Sequence, residues 1–198
     1  MITTVDVETS WQKTETGGYD PSPFHPDNIL VSVGINDEYY FTNHSERIDR
    51  GCAVKIQDTL NKTTLLVGHN IKFDLMWLLE AGFKYTGRVY DTMLGEYIIR
   101  RGQKVDEHNK LISLSLKESC KRRGLGVKSD IFKAYTDDGF GIDEIPMEKL
   151  EEYGRVDVDI TYKLYQSQIQ DYQRPHNKKL IPTRNMSNQF LRVIIEME

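Results

Sequence analysis

Asp6 and Glu8 lie two residues apart in the stretch Val5-Asp6-Val7-Glu8-Thr9, which otherwise has the β-branched, apolar character of a short buried strand. Side chains at that spacing on a strand point to the same face. Two anions side by side repel, and burying them is costly unless something positive sits between them. A bound divalent cation is one answer. A strand end reaching solvent is the other, and it is the usual reason for an isolated D-x-E, because acidic residues are mostly exposed.

Other acids stand where geometry gives them weight. Asp74 follows the apolar run Leu65 to Gly68 and falls at the start of the next helical pattern. An acid in a first helical turn complements the helix dipole. This one also emerges near a strand end, where α/β sheets tend to place their sites. Tyr153 and Asp157 are four apart on the longest helical candidate, so both lie on one helix face. Leu150, Ile160 and Leu164 extend that face inward, which leaves Asp157 as a carboxylate on a largely apolar stripe. For Tyr153 taken alone, a core tyrosine with a satisfied hydroxyl is the simpler explanation.

The elements that must position these residues are legible in outline. Residues 1–7 form a strand, and 11–28 are a long loop rich in Gly, Pro, Asp and Thr. "NILVSVGI" and "EYYFTN" are two strands joined at the hairpin pair Asn36-Asp37. A helical pattern over 49–62 leads into the short strand ending at Gly68, and "IKFDLMWLLEAG" is a helix closed by Gly82. "GRVYDT" is a strand, "MLGEYIIRRG" a helix, and "SLSLKESCKRRG" an amphipathic helix ending at Gly124. Residues 125–145 are mixed and loop-like. Pro146 opens the longest helix and Pro175 follows it. A polar stretch containing Pro182 precedes a last amphipathic piece, Asn188 to Glu198. A meander of strands followed by alternating strands and helices predicts an α/β fold, with a mixed central sheet flanked by helices.

The 198 residues, 38% apolar and 28% charged, suffice for one buried core and argue against disorder. No apolar run approaches the roughly 20 residues that span a bilayer, and the N-terminus lacks the basic-then-apolar pattern of a secretory signal. Cys52 and Cys120 have no metal spacing and read as reduced thiols of a cytosolic-type protein. A net charge of −4 argues mildly against a nucleic-acid partner, although cations at an acidic site would offset it locally.

Together, a strand D-x-E, a strand-to-helix N-x-x-x-D (Asn70 to Asp74) and a helical Y-x-x-x-D (Tyr153 to Asp157) form an ordered set far more specific than any one member. The set resembles the DnaQ-like 3′-5′ exonucleases, whose fold is RNase H-like, in the subgroup with Tyr in the third motif (the DEDDy pattern). Within that group it is most similar to the proofreading domain of phage and bacterial family A DNA polymerases. "VDVETS", "GHNIKFDLMWL" and "YGRVDVDITYKL" match the three motifs, and "YDTMLGEYII" and "SLSLKESCKRRGL" resemble segments between the second and third. The likeness runs from residue 1 to about residue 168.

The resemblance implies a metal-dependent 3′-5′ exonuclease that releases nucleoside 5′-monophosphates from single-stranded 3′ ends. Hard cations such as Mg²⁺ or Mn²⁺ take carboxylate and water oxygens, and two of them about 4 Å apart serve both ends of an in-line displacement. Asp6 would bridge the two ions, Glu8 and Asp157 would complete the site nearer the attacking water, and Asp74 would hold the second ion. Tyr153, neutral at working pH, would orient that water. Thr9, Asn70 and Lys72 would contact the terminal nucleotide. Phe73 and Trp77 fit the core better than a wedge between bases. The basic run Lys121 to Lys128 suits a phosphate backbone and equally a helix C-terminus.

The implied partners are single-stranded or frayed 3′ ends of DNA, with unpairing cheapest at mismatches, and a DNA polymerase domain or subunit; no membrane is expected. The exonuclease domain would span 1–174. Residues 175–198 would be a linker and helix, either the start of a polymerase region or a terminal helix packed on the domain. The implied location is the cytoplasm of a bacterium or a phage-infected host. Two other readings fit the same motifs: an RNase D-like enzyme trimming RNA 3′ ends, and a polymerase-associated binding module with weak or no catalysis.

Overall fold

The computed structural model of the chain describes residues 1–106, 109–126, 135 and 139–198. Its centre is a five-stranded mixed sheet in the order β5-β4-β1-β6-β7. These strands are β1 (Ile2–Thr9), β4 (Leu30–Ile35), β5 (Glu38–Phe41), β6 (Leu65–Gly68) and β7 (Arg88–Asp91). Two short strands in the long early loop, β2 (Gln12–Lys13) and β3 (Tyr19–Asp20), pair as a separate ribbon. β1 runs antiparallel to β4 and parallel to β6, and β6 runs parallel to β7. The β4–β5 hairpin turns at the expected pair, with Asn36 in the left-handed region at φ 51°.

Among the described residues, six α-helices flank the sheet: α1 (Cys52–Lys62), α2 (Ile71–Glu80), α3 (Thr92–Ile99), α4 (Leu116–Arg123), α5 (Met147–Gln173) and α6 (Ile181–Met197). On one face, Val5 and Val7 of β1 and Val33 and Ile35 of β4 pack with Ile56 and Leu60 of α1 and Ile71, Leu75 and Leu78 of α2. On the other, Tyr39 and Phe41 of β5 pack with Ile142, Ile145 and Leu150, where α5 begins. Every residue of β4 is buried, as expected for a strand with cover on both faces. Because β1 alternates, its apolar side feeds the first core and its acidic side faces α5. The fold is therefore the mixed, helix-flanked α/β sheet that the pattern predicts.

The last helix is longer than its apolar spacing suggests. It starts at Ile181, seven residues before the amphipathic stretch. Pro182 sits in its first turn, where a missing N–H costs nothing. Ile195 joins the first core, and the Asn188 side chain accepts a hydrogen bond from the Asp91 N–H on β7 at 2.8 Å. α6 thus packs on the domain. Residues 127–134, including Val127 and Lys128 of the basic run, lie outside the described residues.

Strand lengths create the site. β6 pairs with β1 only from Ile2 to Thr4. Beyond Thr4, β1 continues past the end of β6 with β4 alone beside it, Asp6 opposite Gly34 and Glu8 opposite Ser32. The acidic pair therefore stands at the carboxyl end of the parallel strands.

Candidate active site

Asp6 and Glu8 project from β1 toward α5, and α5 returns Asp157 to meet them. One carboxylate oxygen from each of Asp6, Glu8 and Asp157 lies within 4.8 Å of the other two. Asp157 is 2% exposed, on the buried stripe that includes Leu150, Val158 and Leu164. Tyr153, one turn earlier, is hydrogen-bonded to the Asp157 side chain. Burial, then the charges of Asp157, Glu8 and Asp6, push the Tyr153 phenol well above its ordinary range. It is a neutral hydroxyl at any working pH.

Asp74 reaches the same strand by a different route. It is in the first turn of α2, 3% exposed, and its Oδ1 accepts a hydrogen bond from the Val7 N–H at 3.1 Å. That N–H is available because β6 has already ended. Burial, then the Asp6 charge, raise the Asp74 pKa well above the carboxylate norm. Of the acids singled out in the sequence, Asp6, Glu8 and Asp157 converge, and Asp74 stands beside them on the backbone between the first two.

The three expected nucleotide contacts are placed unequally. Thr9 ends β1 at a register irregularity after Glu8 and is 7% exposed. Asn70 stands at the N-cap position of α2 with φ 63° and makes no side-chain capping hydrogen bond; it is exposed. Lys72 is half-buried, and its Nζ is paired with Glu198 Oε1 at 2.6 Å. Asn70, Lys72, Phe73 and Met76 border a cavity of about 360 Å³ against the Asp20–Pro23 loop. A larger cavity, about 900 Å³ between β7, α5 and α6, touches none of these residues. Trp77 belongs to the core, with its indole N–H donating to Pro21 O at 3.2 Å.

Both arginines of the basic run are bonded within the fold. Arg123 is held by Glu96 at 2.9 Å and Asp171 at 2.6 Å, and Arg122 donates to Ser113 O at 2.7 Å. Of the basic side chains described in the run, Lys121 and Arg122 are on the exposed surface and Arg123 is half-buried.

Asp91 is a supporting residue that spacing alone did not single out. Its buried Oδ1 accepts from the N–H groups of Met93 at 2.8 Å, Leu94 at 3.2 Å and Asn70 at 3.1 Å. One carboxylate thus caps α3 and fixes the strained start of α2, the helix that carries Asp74. The Asp-Thr pair entering a helix was the available signal, since Asp is a preferred N-cap.

Hard oxygen donors gathered this closely suit a hard divalent cation, whose charge outweighs the mutual repulsion of the carboxylates. A sequence profile for a family described as 3′-5′ exonuclease matches residues 13–170, a span that begins after Asp6 and Glu8. DNA polymerase I of Borreliella burgdorferi is 26% identical over 189 residues, covering 93% of this chain and 20% of the polymerase. The chain therefore spans about a fifth of the length of that relative. Among solved structures, Brucella melitensis NrnC with bound Mg²⁺ superposes with a TM-score of 0.65 at 19% identity, covering 99% of this chain and 84% of that one. The catalytic core of RRP6 from Trypanosoma brucei gives 0.58 at 13% identity, covering 96% and 45%. At these identities the likeness is one of fold. No helix among the described residues is long and apolar enough to cross a membrane.

Proposed function

We propose a reaction from one premise: the chain belongs to the 3′-5′ exonuclease family. The reaction is metal-dependent hydrolysis of the terminal phosphodiester bond at a single-stranded 3′ end of DNA, releasing nucleoside 5′-monophosphates. The observation that carries it is the meeting of Asp6, Glu8 and Asp157 oxygens within 4.8 Å beside the Tyr153 hydroxyl.

Asp6, Glu8 and Asp157, with Asp74, would hold two Mg²⁺ or Mn²⁺ ions. Such ions supply charge for the attacking water and for the departing 3′ oxygen. The fold's likeness to an NrnC solved with bound Mg²⁺ supports that choice of ion. Asp157 accepts the Tyr153 hydrogen bond and so fixes the phenol's direction. Tyr153 orients the water and carries no charge, because its proton is held far above working pH. Asp74, tied to the Val7 N–H, keeps its carboxylate against β1. Thr9, which directly follows Glu8, and Asn70, at the start of the helix that carries Asp74, would contact the terminal sugar and phosphate. Lys72 would do so on exchanging Glu198 for a phosphate.

The partner is an unpaired 3′ end, and the likeness to a DNA polymerase I supports a polymerase domain or subunit alongside it, in the cytoplasm of a bacterium or an infected host. A second reading, RNase D-like trimming of RNA 3′ ends, draws support from the fold likeness to NrnC and RRP6. One experiment addresses both. A 5′-labelled single strand of DNA, and its RNA counterpart, are digested with Mg²⁺ or Mn²⁺, with EDTA, and with Asp6→Ala. Stepwise shortening from the 3′ end that needs metal and Asp6 is expected, faster on DNA. Shortening that survives Asp6→Ala refutes the assignment, and faster digestion of RNA selects the second reading, since only RNA offers the 2′-hydroxyl.

A further inference from the structure

Beneath the acidic cluster, the sheet presents two rows of residues to α5. Asp6 lies across from Gly34, and Gly34 across from Tyr39. Glu8 lies across from Ser32, and Ser32 across from Phe41. The Tyr39 ring leans over this surface. Its hydroxyl is 2.7 Å from Ser32 Oγ, and both residues are buried. Burial, then the Glu8 charge, hold the phenol well above its ordinary range, so Tyr39 lies within the field of the cluster.

α5 meets this ring at a glycine. A Cβ at Gly154 would sit 2.8 Å from the Tyr39 hydroxyl and 2.9 Å from its Cζ, with Cε2 closer still. A Cβ at Gly34 would sit 2.8 Å from Val158 Cγ2 and 3.3 Å from Tyr39 Cδ2. The contacts at Gly154 and the one with Val158 are closer than a Cβ approaches other heavy atoms, and the one between Gly34 and Tyr39 Cδ2 is tight. A glycine inside a helix is unfavourable relative to alanine, so Gly154 needs a packing reason, and the Tyr39 ring is that reason. Gly154 follows Tyr153 directly and precedes Asp157 by three residues. Val158, which meets Gly34, follows Asp157.

We propose that Tyr39 is a positioning residue: its ring, seated between Gly34 and Gly154, sets the height at which α5 holds Tyr153 and Asp157 over Asp6 and Glu8. The inference rests on the exonuclease reading for its rate prediction and on geometry alone for its metal prediction. A change of about 1 Å in such a spacing costs on the order of 10²-fold in rate.

The test is a double-mutant cycle of Gly154→Ala and Tyr39→Leu in the full chain, with Tyr39→Phe beside it. Three quantities are measured: kcat and KM on a single-stranded oligonucleotide, Mn²⁺ affinity by calorimetry, and the thermal midpoint. Gly154→Ala is expected to lower kcat about 10²-fold and weaken Mn²⁺ binding, with KM near the parent value and a lowered thermal midpoint, because the added methyl overpacks the buried ring. Tyr39→Leu in that background shortens the side chain the new Cβ meets, and should restore about tenfold of the lost rate and most of the Mn²⁺ affinity, a non-additive pair. Tyr39→Phe keeps the ring and should stay close to the parent. Parent-like kcat and Mn²⁺ affinity in Gly154→Ala, additive losses in the double variant, or a Tyr39→Phe as impaired as Gly154→Ala would each overturn the proposal. If the parent protein digests no 3′ end, the exonuclease reading fails by itself, and the Mn²⁺ affinities across the cycle still decide the spacing.

Discussion

Two regions of this molecule bury acids against α5, and they do so in opposite ways. Near its carboxyl half, Glu96 of α3 and Asp171 of α5 meet Arg123 of α4 at 2.9 and 2.6 Å, and Gln168 Nε2 donates to Glu96 at 3.2 Å. Acid is set against base there, and three helices are joined. Near its amino half, Asp6, Glu8 and Asp157 are gathered acid with acid, beside a phenol, with Asp74 adjacent. Opposed charges that satisfy one another serve the fold. Like charges gathered at the end of a sheet work against it, and the natural use of such a cluster is to hold a cation. The difference separates a structural ion network from a candidate reaction centre on the same helix.

That contrast can be broken by single substitutions, and the largest effect belongs to the acidic end. Asp6→Ala is expected to lower kcat by about 10³-fold or more, with stability in EDTA unchanged or improved because a repulsion is relieved. A variant that loses both activity and fold in EDTA would place Asp6 in the structural class. At the other end the expectation inverts. Arg123→Ala leaves Glu96 and Asp171 without their shared guanidinium and should cost about 3 kcal/mol of unfolding free energy, read by urea titration. Its kcat at a temperature where it is folded should match the parent; a selective loss of kcat would erase the distinction between the two regions.

Tyr153→Phe sharpens the comparison within the acidic end. Removing a group that orients the attacking water is expected to lower kcat about 10²-fold, while the Mg²⁺ concentration giving half-maximal rate stays within about threefold of the parent. Equal losses in rate and in metal dependence would assign the phenol to holding the carboxylates instead. The smallest effect is the pH dependence of the metal-free protein. Asp74 binds its proton more tightly folded than unfolded, because burial and Asp6 raise its pKa. Its contribution to stability is therefore fully present below the ordinary carboxylate pKa and is lost as pH rises through the raised value. In EDTA, thermal midpoints taken from acid to neutral pH should fall on that account in the parent and fall less in Asp74→Asn. An identical slope in the two proteins would remove Asp74 from the account.

Local chemistry carried most of the fold. The hairpin at Asn36-Asp37, the closure of α2 before Gly82 and the 27-residue length of α5 between Pro146 and Arg174 all follow from residues within a turn of the boundary. Pro182 is the counter-example: proline in a polar stretch reads as a break, yet in a first turn it opens a helix. The basic run misleads for a related reason, since Arg122 and Arg123 look free in one dimension and are bonded across elements in three.

Residue types and spacings by themselves determined which side chains could form the site: D-x-E must share a strand face, and Tyr153 and Asp157 must share a helix face. Only the tertiary structure decided that these faces meet, that β6 stops early enough to give the Val7 N–H to Asp74, and that a tyrosine from β5 seats against a glycine on α5. Periodicity is a property of one element. The distance between two elements depends on side-chain volumes that converge from far apart in the chain.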